Sequence, residues 1–120
     1  MKQKSLLFVF FVFPLGLFIL AACVDFDAIT INNPDLGKVA DGTYRGNSKV
    51  GPVRVVLDVI VRDRAITSIQ IIEHFNGRGE KAETIVPRII EAQSLEVDVV
   101  SGATGSSKAI LKAVETALTP

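Results

Sequence analysis

The residues best suited to chemistry lie together near the C-terminus, in Asp98-Val99-Val100-Ser101-Gly102-Ala103-Thr104-Gly105-Ser106-Ser107. The stretch is rich in hydroxyls and loosened by glycine. Behind it, from about Ser106 to Leu118, the residues Ile110, Leu111, Val114, Ala117 and Leu118 recur at helical spacing. The pattern predicts a turn that delivers the chain into a helix, whose first N–H groups and positive dipole end favour an anion. A phosphate group suits that position, because Gly102 and Gly105 permit close backbone approach and Lys108 adds positive charge in the expected first turn. A plainer reading of the same residues is that Thr104 or Ser106 caps the helix.

Other chemistry-bearing residues are sparse. Cys23 is the sole cysteine, so an intrachain disulfide, a cysteine zinc site and a thiol redox pair are all excluded. His74, the sole histidine, stands in Glu73-His74-Phe75-Asn76-Gly77-Arg78-Gly79 and reads as an exposed loop residue. Lys+Arg and Asp+Glu both number 13, without long runs of one sign, which sets nucleic acid aside. There is no GxGxxG turn and no Walker loop, hence no site for a nicotinamide or nucleotide substrate.

The elements that must position the hydroxyl-rich turn are legible from their periodicity. Asp41 to Gly46 opens the folded unit with a turn and a short strand in which Tyr44 faces inward. Val53, Val55, Leu57, Val59 and Val61 alternate with Arg54, Asp58 and Arg62, a period-two strand. Asp63-Arg64 turns the chain, and the β-branched run Ala65 to Glu73 completes a hairpin. His74 to Gly79 is expected as a loop. Ala82, Ile85, Val86, Ile89, Ile90 and Gln93 then recur at helical spacing. Pro87 interrupts them, which suggests two helical pieces with Pro87 in the first turn of the second. Leu95 to Val100 is a candidate strand. The fold class is α+β: a small antiparallel, hairpin-based sheet with two amphipathic helices packed on it.

At the other end, Lys2 and Lys4 precede a long apolar run from Leu6 to Leu20 that closes in Leu20-Ala21-Ala22-Cys23. This reads as an export signal ending in a bacterial lipobox over residues 1–22, with Cys23 as the lipidated mature N-terminus. An uncleaved membrane anchor is the alternative, although Pro14 and Gly16 interrupt the run. Both place the rest of the chain on the extracytoplasmic face of a bacterial cell membrane. Loss of Lys2 and Lys4 from a chain with 13 basic and 13 acidic residues leaves a net charge of −2. Residues 23–40 read as a linker, whose Ile29, Ile31 and Leu36 offer packing as an extended arm, and residues 41–120 as the folded domain.

The stretch Asp98 to Thr104 resembles the flavinylation signature Asp-X-X-Ser/Thr-Gly-Ala-Thr of the covalent FMN-binding domain family, and matches every specified position. The resemblance runs from Asp41 to Leu118. It takes in Asp41-Gly42-Thr43-Tyr44-Arg45-Gly46, the Val53 to Glu73 hairpin, Ile89-Ile90-Glu91-Ala92-Gln93-Ser94, and the closing helix through Ser107-Lys108-Ala109-Ile110. The family includes peripheral subunits of sodium-pumping NADH:quinone reductase and of the related ferredoxin:NAD oxidoreductase complex. What the resemblance implies is FMN held as a phosphoester on Thr104, transferred from FAD by a separate flavin transferase that uses a divalent metal. It implies further that Ser101, Gly102, Ala103, Gly105 and Ser106 surround the cofactor and that Asp98 takes part in the modification. In the same light, His74 acquires a second reading, beside the isoalloxazine.

The resulting expectation is an exported, membrane-anchored electron carrier that exchanges electrons with a redox partner protein or a quinone. Two alternatives remain open at this point: a small FMN-dependent reductase, and an interaction lipoprotein whose domain carries no flavin.

Overall fold

The structure, a computed structural model, describes residues 28–75 and 79–119. The expected leader, its lipobox and Cys23 lie outside the described residues.

Strand β1 (Gly42–Val50), strand β2 (Val53–Arg62) and strand β3 (Ala65–Phe75) form an antiparallel sheet in the order β1-β2-β3. β1 is longer than the short strand expected from Asp41 to Gly46. Along β2 the alternation is realised in full: Val53, Val55, Leu57, Val59 and Val61 are buried, while Arg54 and Arg62 are exposed. Each such burial contributes roughly 1.5–3 kcal/mol, so this strand is the spine of the core. Tyr44 pairs with Val59 on the same inner face, and its hydroxyl donates to the carbonyl of Ala40 at 2.6 Å. The β2–β3 turn places Asp63 and Arg64 both at positive φ, 51° and 63°, the geometry that matches the twist of a two-residue hairpin.

β3 departs from regular pairing at two places. Leu57 faces Ile71 and Val56 faces Glu73, so Ile72 is an extra residue in β3; a second shift lies between Ile60 and Val61. The bulge at Ile72 reverses the inward–outward sense of the residues that follow. Glu73 therefore turns outward to pair with Arg54 at 2.6 Å, and His74 turns inward opposite Val55.

Among the described residues three α-helices cover the inner face. Helix α1 (Gly79–Glu83) and helix α2 (Ile85–Ala92) are the two pieces expected around Pro87, which occupies the third position of α2, where its missing N–H costs no intrahelical bond. Ala82, Ile85 and Ile89 are fully buried. Gln93 ends α2 at φ 51°, and its side-chain amide both accepts from the N–H and donates to the C=O of Ile66, pairing with the β3 edge as a strand would. Helix α3 (Thr104–Leu118) lies along β1 and β2. Gly46 makes that approach possible: a Cβ there would stand 2.0 Å from the carbonyl oxygen of Ala113.

The expected strand from Leu95 to Val100 does not form. Its polar groups are taken by side chains instead of a ladder: Leu95 N–H donates to Asn33 Oδ1, Glu96 N–H to Ser94 Oγ and Val100 N–H to Ser107 Oγ, while Arg88 donates to the carbonyl of Asp98. Leu95 and Val100 are nevertheless buried, which accounts for their apolar character.

Of the two readings of residues 23–40, the arm describes the part from 28 onward. Ile29, Ile31, Leu36 and Val39 pack against the core. Asn32 N–H donates to Glu115 Oε2 at 3.3 Å, and Lys112 bridges from Glu115 to the carbonyl of Thr30. Among the described residues no helix is long and apolar enough to cross a membrane.

Candidate functional site

The hydroxyl-rich stretch forms a tight turn that enters α3 two residues earlier than Ser106. Ala103 N–H donates to the carbonyl of Val100 at 2.9 Å, with Gly102 between them at φ 78°, a left-handed conformation that favours glycine. Ala103 is the N-cap and supplies no side-chain cap. The helix-capping reading of Thr104 and Ser106 therefore fails, since both lie inside the helix at its first and third positions. Ser107 N–H to Ala103 C=O, at 2.9 Å, is the first full-turn bond, so the amides of Thr104 and Gly105 are directed out of the helix start. Lys108 falls in the second turn, one turn beyond Thr104 and on its side of the helix, not in the first turn.

Burial separates the hydroxyls that the sequence leaves equivalent. Ser107 is fully buried, its Oγ accepting from Val100 N–H, and Ser106 is 3% exposed and engaged in packing and bonding of its own. Thr104 is half-buried and Ser101 exposed. Thr104 is thus the hydroxyl set on a rigid helix start yet open to an incoming group, while Ser101 sits in the turn before it. Asp98 is exposed at the near end of the loop.

Two further side chains come to this end of the molecule from outside the motif. Lys81 of α1 reaches across to Gly102: a Cβ on Gly102 would lie 3.0 Å from Lys81 Nζ. His74, expected in an exposed loop, instead ends β3 with a side chain 5% exposed. Neither of its ring nitrogens has a hydrogen-bond partner, and Glu83 Oε2 stands 3.8 Å from Nδ1. Sequence reasoning missed Lys81 altogether, and the bulge at Ile72 is what displaced His74. Among the described residues no His/Cys/Asp/Glu cluster offers a metal site. The motif is a surface feature. A cleft of about 280 Å³ lined by Asp41, Gly42, Thr43, Ile60, Val61 and Arg62 opens at the opposite end of the sheet.

Residues 49–119 match the FMN-binding domain family, from the last two residues of β1 through the whole of α3. The chain belongs to that family. Its cofactor is accordingly FMN, and the match contains the complete Asp98 to Thr104 motif. An uncharacterised protein of Treponema pallidum (strain Nichols) is 31% identical over 81 residues, 65% of this chain. This chain spans 22% of that relative's length.

The residues present fit an FMN phosphate. Gly102 lacks a side chain where the loop needs an open approach, the amides of Thr104 and Gly105 point outward, and Lys81 supplies a cation at the same turn. As an FMN-binding domain, the fold places these groups at the hairpin tip of the sheet. The contacts of α3 with β1 fix that direction: Ala109 C=O receives the Ser48 hydroxyl, and Ala113 lies over Gly46, so the helix start faces the Val50 end.

Proposed function

We propose that Thr104 carries FMN through a phosphoester and that the protein is an exported, membrane-anchored flavoprotein that relays electrons. The observation that supports this most directly is the half-exposed position of Thr104 at the start of α3, beside serines whose hydroxyls are buried and occupied. A helix start attracts the phosphate, and the outward amides of Thr104 and Gly105 receive its oxygens.

An aliphatic hydroxyl is a weak nucleophile, and His74 is held in the core, so Thr104 is an acceptor whose activation comes from a partner enzyme. A flavin transferase fills that role with FAD as donor. The Thr104 Oγ–P bond forms at the flavin-side phosphorus, the phosphoanhydride bond breaks, AMP leaves, and the hydroxyl proton passes to the transferase. Asp98, exposed six residues earlier, is available to orient the loop in that encounter.

FMN supplies one- and two-electron redox chemistry, and the chain supplies its position. Lipidation at Cys23 ties the domain to the extracytoplasmic face of a bacterial membrane, where a covalently held flavin cannot diffuse away. Electrons are exchanged with a redox partner protein or a quinone. Mass spectrometry of the protein extracted from its native membrane tests the reading: it predicts an N-terminal lipidated Cys23 and an addition of FMN minus water on the peptide containing Thr104. An unmodified Thr104 peptide overturns the covalent assignment, and retention of residues 1–22 overturns the lipoprotein.

A further inference from the structure

Lys81 and Gly102 are far apart in sequence and meet across the motif. The ammonium stands where a Cβ on Gly102 would be only 3.0 Å away, so it lies directly over the turn that leads into Thr104. Its carrier is well fixed: Ala82, the next residue, is fully buried, and Glu83 faces the buried His74 ring. Among the described residues no carboxylate forms an ion pair with Lys81, whereas Arg45, Arg54 and Lys112 each have one. An exposed cation thus stands against the Val100–Ala103 turn, whose own four residues carry no charge.

We propose that Lys81 is the cation that binds the flavin phosphate at this turn, gripping the donor's pyrophosphate during transfer and the phosphodiester afterwards. The proposal rests on the reading of Thr104 as the flavin acceptor. An ammonium is a compact charge with three rotatable donors, suited to phosphate oxygens approached from one side. The amides of Thr104 and Gly105 approach from the other, so the phosphate is bracketed between α1 and the start of α3. Gly102 then has two reasons to be glycine. Its φ of 78° favours that residue, and a side chain would push the ammonium off the turn.

The test uses the full chain, purified in detergent from cells lacking a flavin transferase and then incubated with a compatible transferase, magnesium and FAD. At subsaturating FAD, Lys81→Met should slow flavin incorporation on Thr104 roughly tenfold, the loss expected for one charge-assisted contact. Lys81→Arg should restore most of the rate, and the apo proteins should melt alike. In the unvaried protein, Lys81 should be acetylated readily by an amine reagent before flavinylation and protected after it, as read by peptide mapping. Incorporation by Lys81→Met at the normal rate, or equal acetylation of Lys81 in both forms, with flavin present on Thr104, overturns the role of Lys81 and leaves that of Thr104 standing. Absence of flavin from Thr104 in the unvaried chain overturns both.

Discussion

Ser107 Oγ accepts the amide hydrogen of Val100 at 3.0 Å, tying the first turn of α3 to the residue that opens the tight turn before it. Both residues are buried, so the bond closes the motif into a small ring of backbone and side chain with Thr104 at its outer edge. Ser107 is thereby a structural acceptor, and its hydroxyl is committed.

Ser107→Ala should destabilise the protein by about 1–3 kcal/mol, because Val100 N–H is left buried without an acceptor. That exceeds what an exposed cap would cost in many hosts. Urea unfolding measures it, and Thr104 should still accept flavin at permissive temperature. A stability change near zero would mean that water replaces the hydroxyl and the ring is not closed by this bond.

Gly46→Ala should cost at least the upper end of the ~1–3 kcal/mol typical of overpacking. The new methyl would meet the carbonyl oxygen of Ala113 at 2.0 Å and Ala117 at 2.8 Å, and a helix backbone cannot yield as a side chain does. Thermal unfolding should show a large fall in melting temperature; near-identity with the parent would show that α3 stands further from β1.

The carboxylate of Asp58 is held below its ordinary range, chiefly by the hydrogen bond from Arg45 at 2.8 Å. A lowered folded-state pKa adds stability above the unfolded value and loses it as pH falls through the folded one. Asp58→Asn should therefore be less stable than the parent at neutral pH, by a small amount because the Arg45 partner is largely exposed, and the two should converge in strong acid. Melting curves across that range check the sign; divergence on acidification would contradict it.

The apolar core between the sheet and α3 is closed by protein alone: Val55, Leu57, Val59, Val61, Ile110 and Val114 are all fully buried. Chain made in cells without a flavin transferase should fold and be colourless. Circular dichroism of mixed helix and strand character is the expected result, and an unfolded spectrum would make the flavin a structural necessity.

Much of this architecture is legible in the sequence because it rests on local regularities. The alternation of β2, the β-branched run of β3, the split helix at Pro87 and the closing helix follow from periodicity and from the chemistry of proline. The misreadings arise where distant groups decide. His74 is buried because a single extra residue, Ile72, reverses the strand's facing, and nothing in a β-branched run marks where a bulge falls. Leu95 to Val100 has strand-like composition, yet Asn33 and Ser107 take the amides at its two ends. The motif declared itself by residue types alone. Which of its hydroxyls stands open, and that Lys81 overlies it, depend on the packing of α1 and α3 and have no sequence signal.

The account turns on Thr104, since a phosphoester needs a hydroxyl at that point and its serine neighbours in α3 are buried. The deciding measurement is peptide mapping of the protein and its Thr104→Val variant after coexpression with a compatible flavin transferase. The parent should show flavin fluorescence that survives denaturing electrophoresis and an addition of FMN minus water at Thr104. Thr104→Val, which nearly preserves volume, should lose both while melting close to the parent. Denaturation-resistant flavin in Thr104→Val, or its localisation to Ser101, would contradict the assignment.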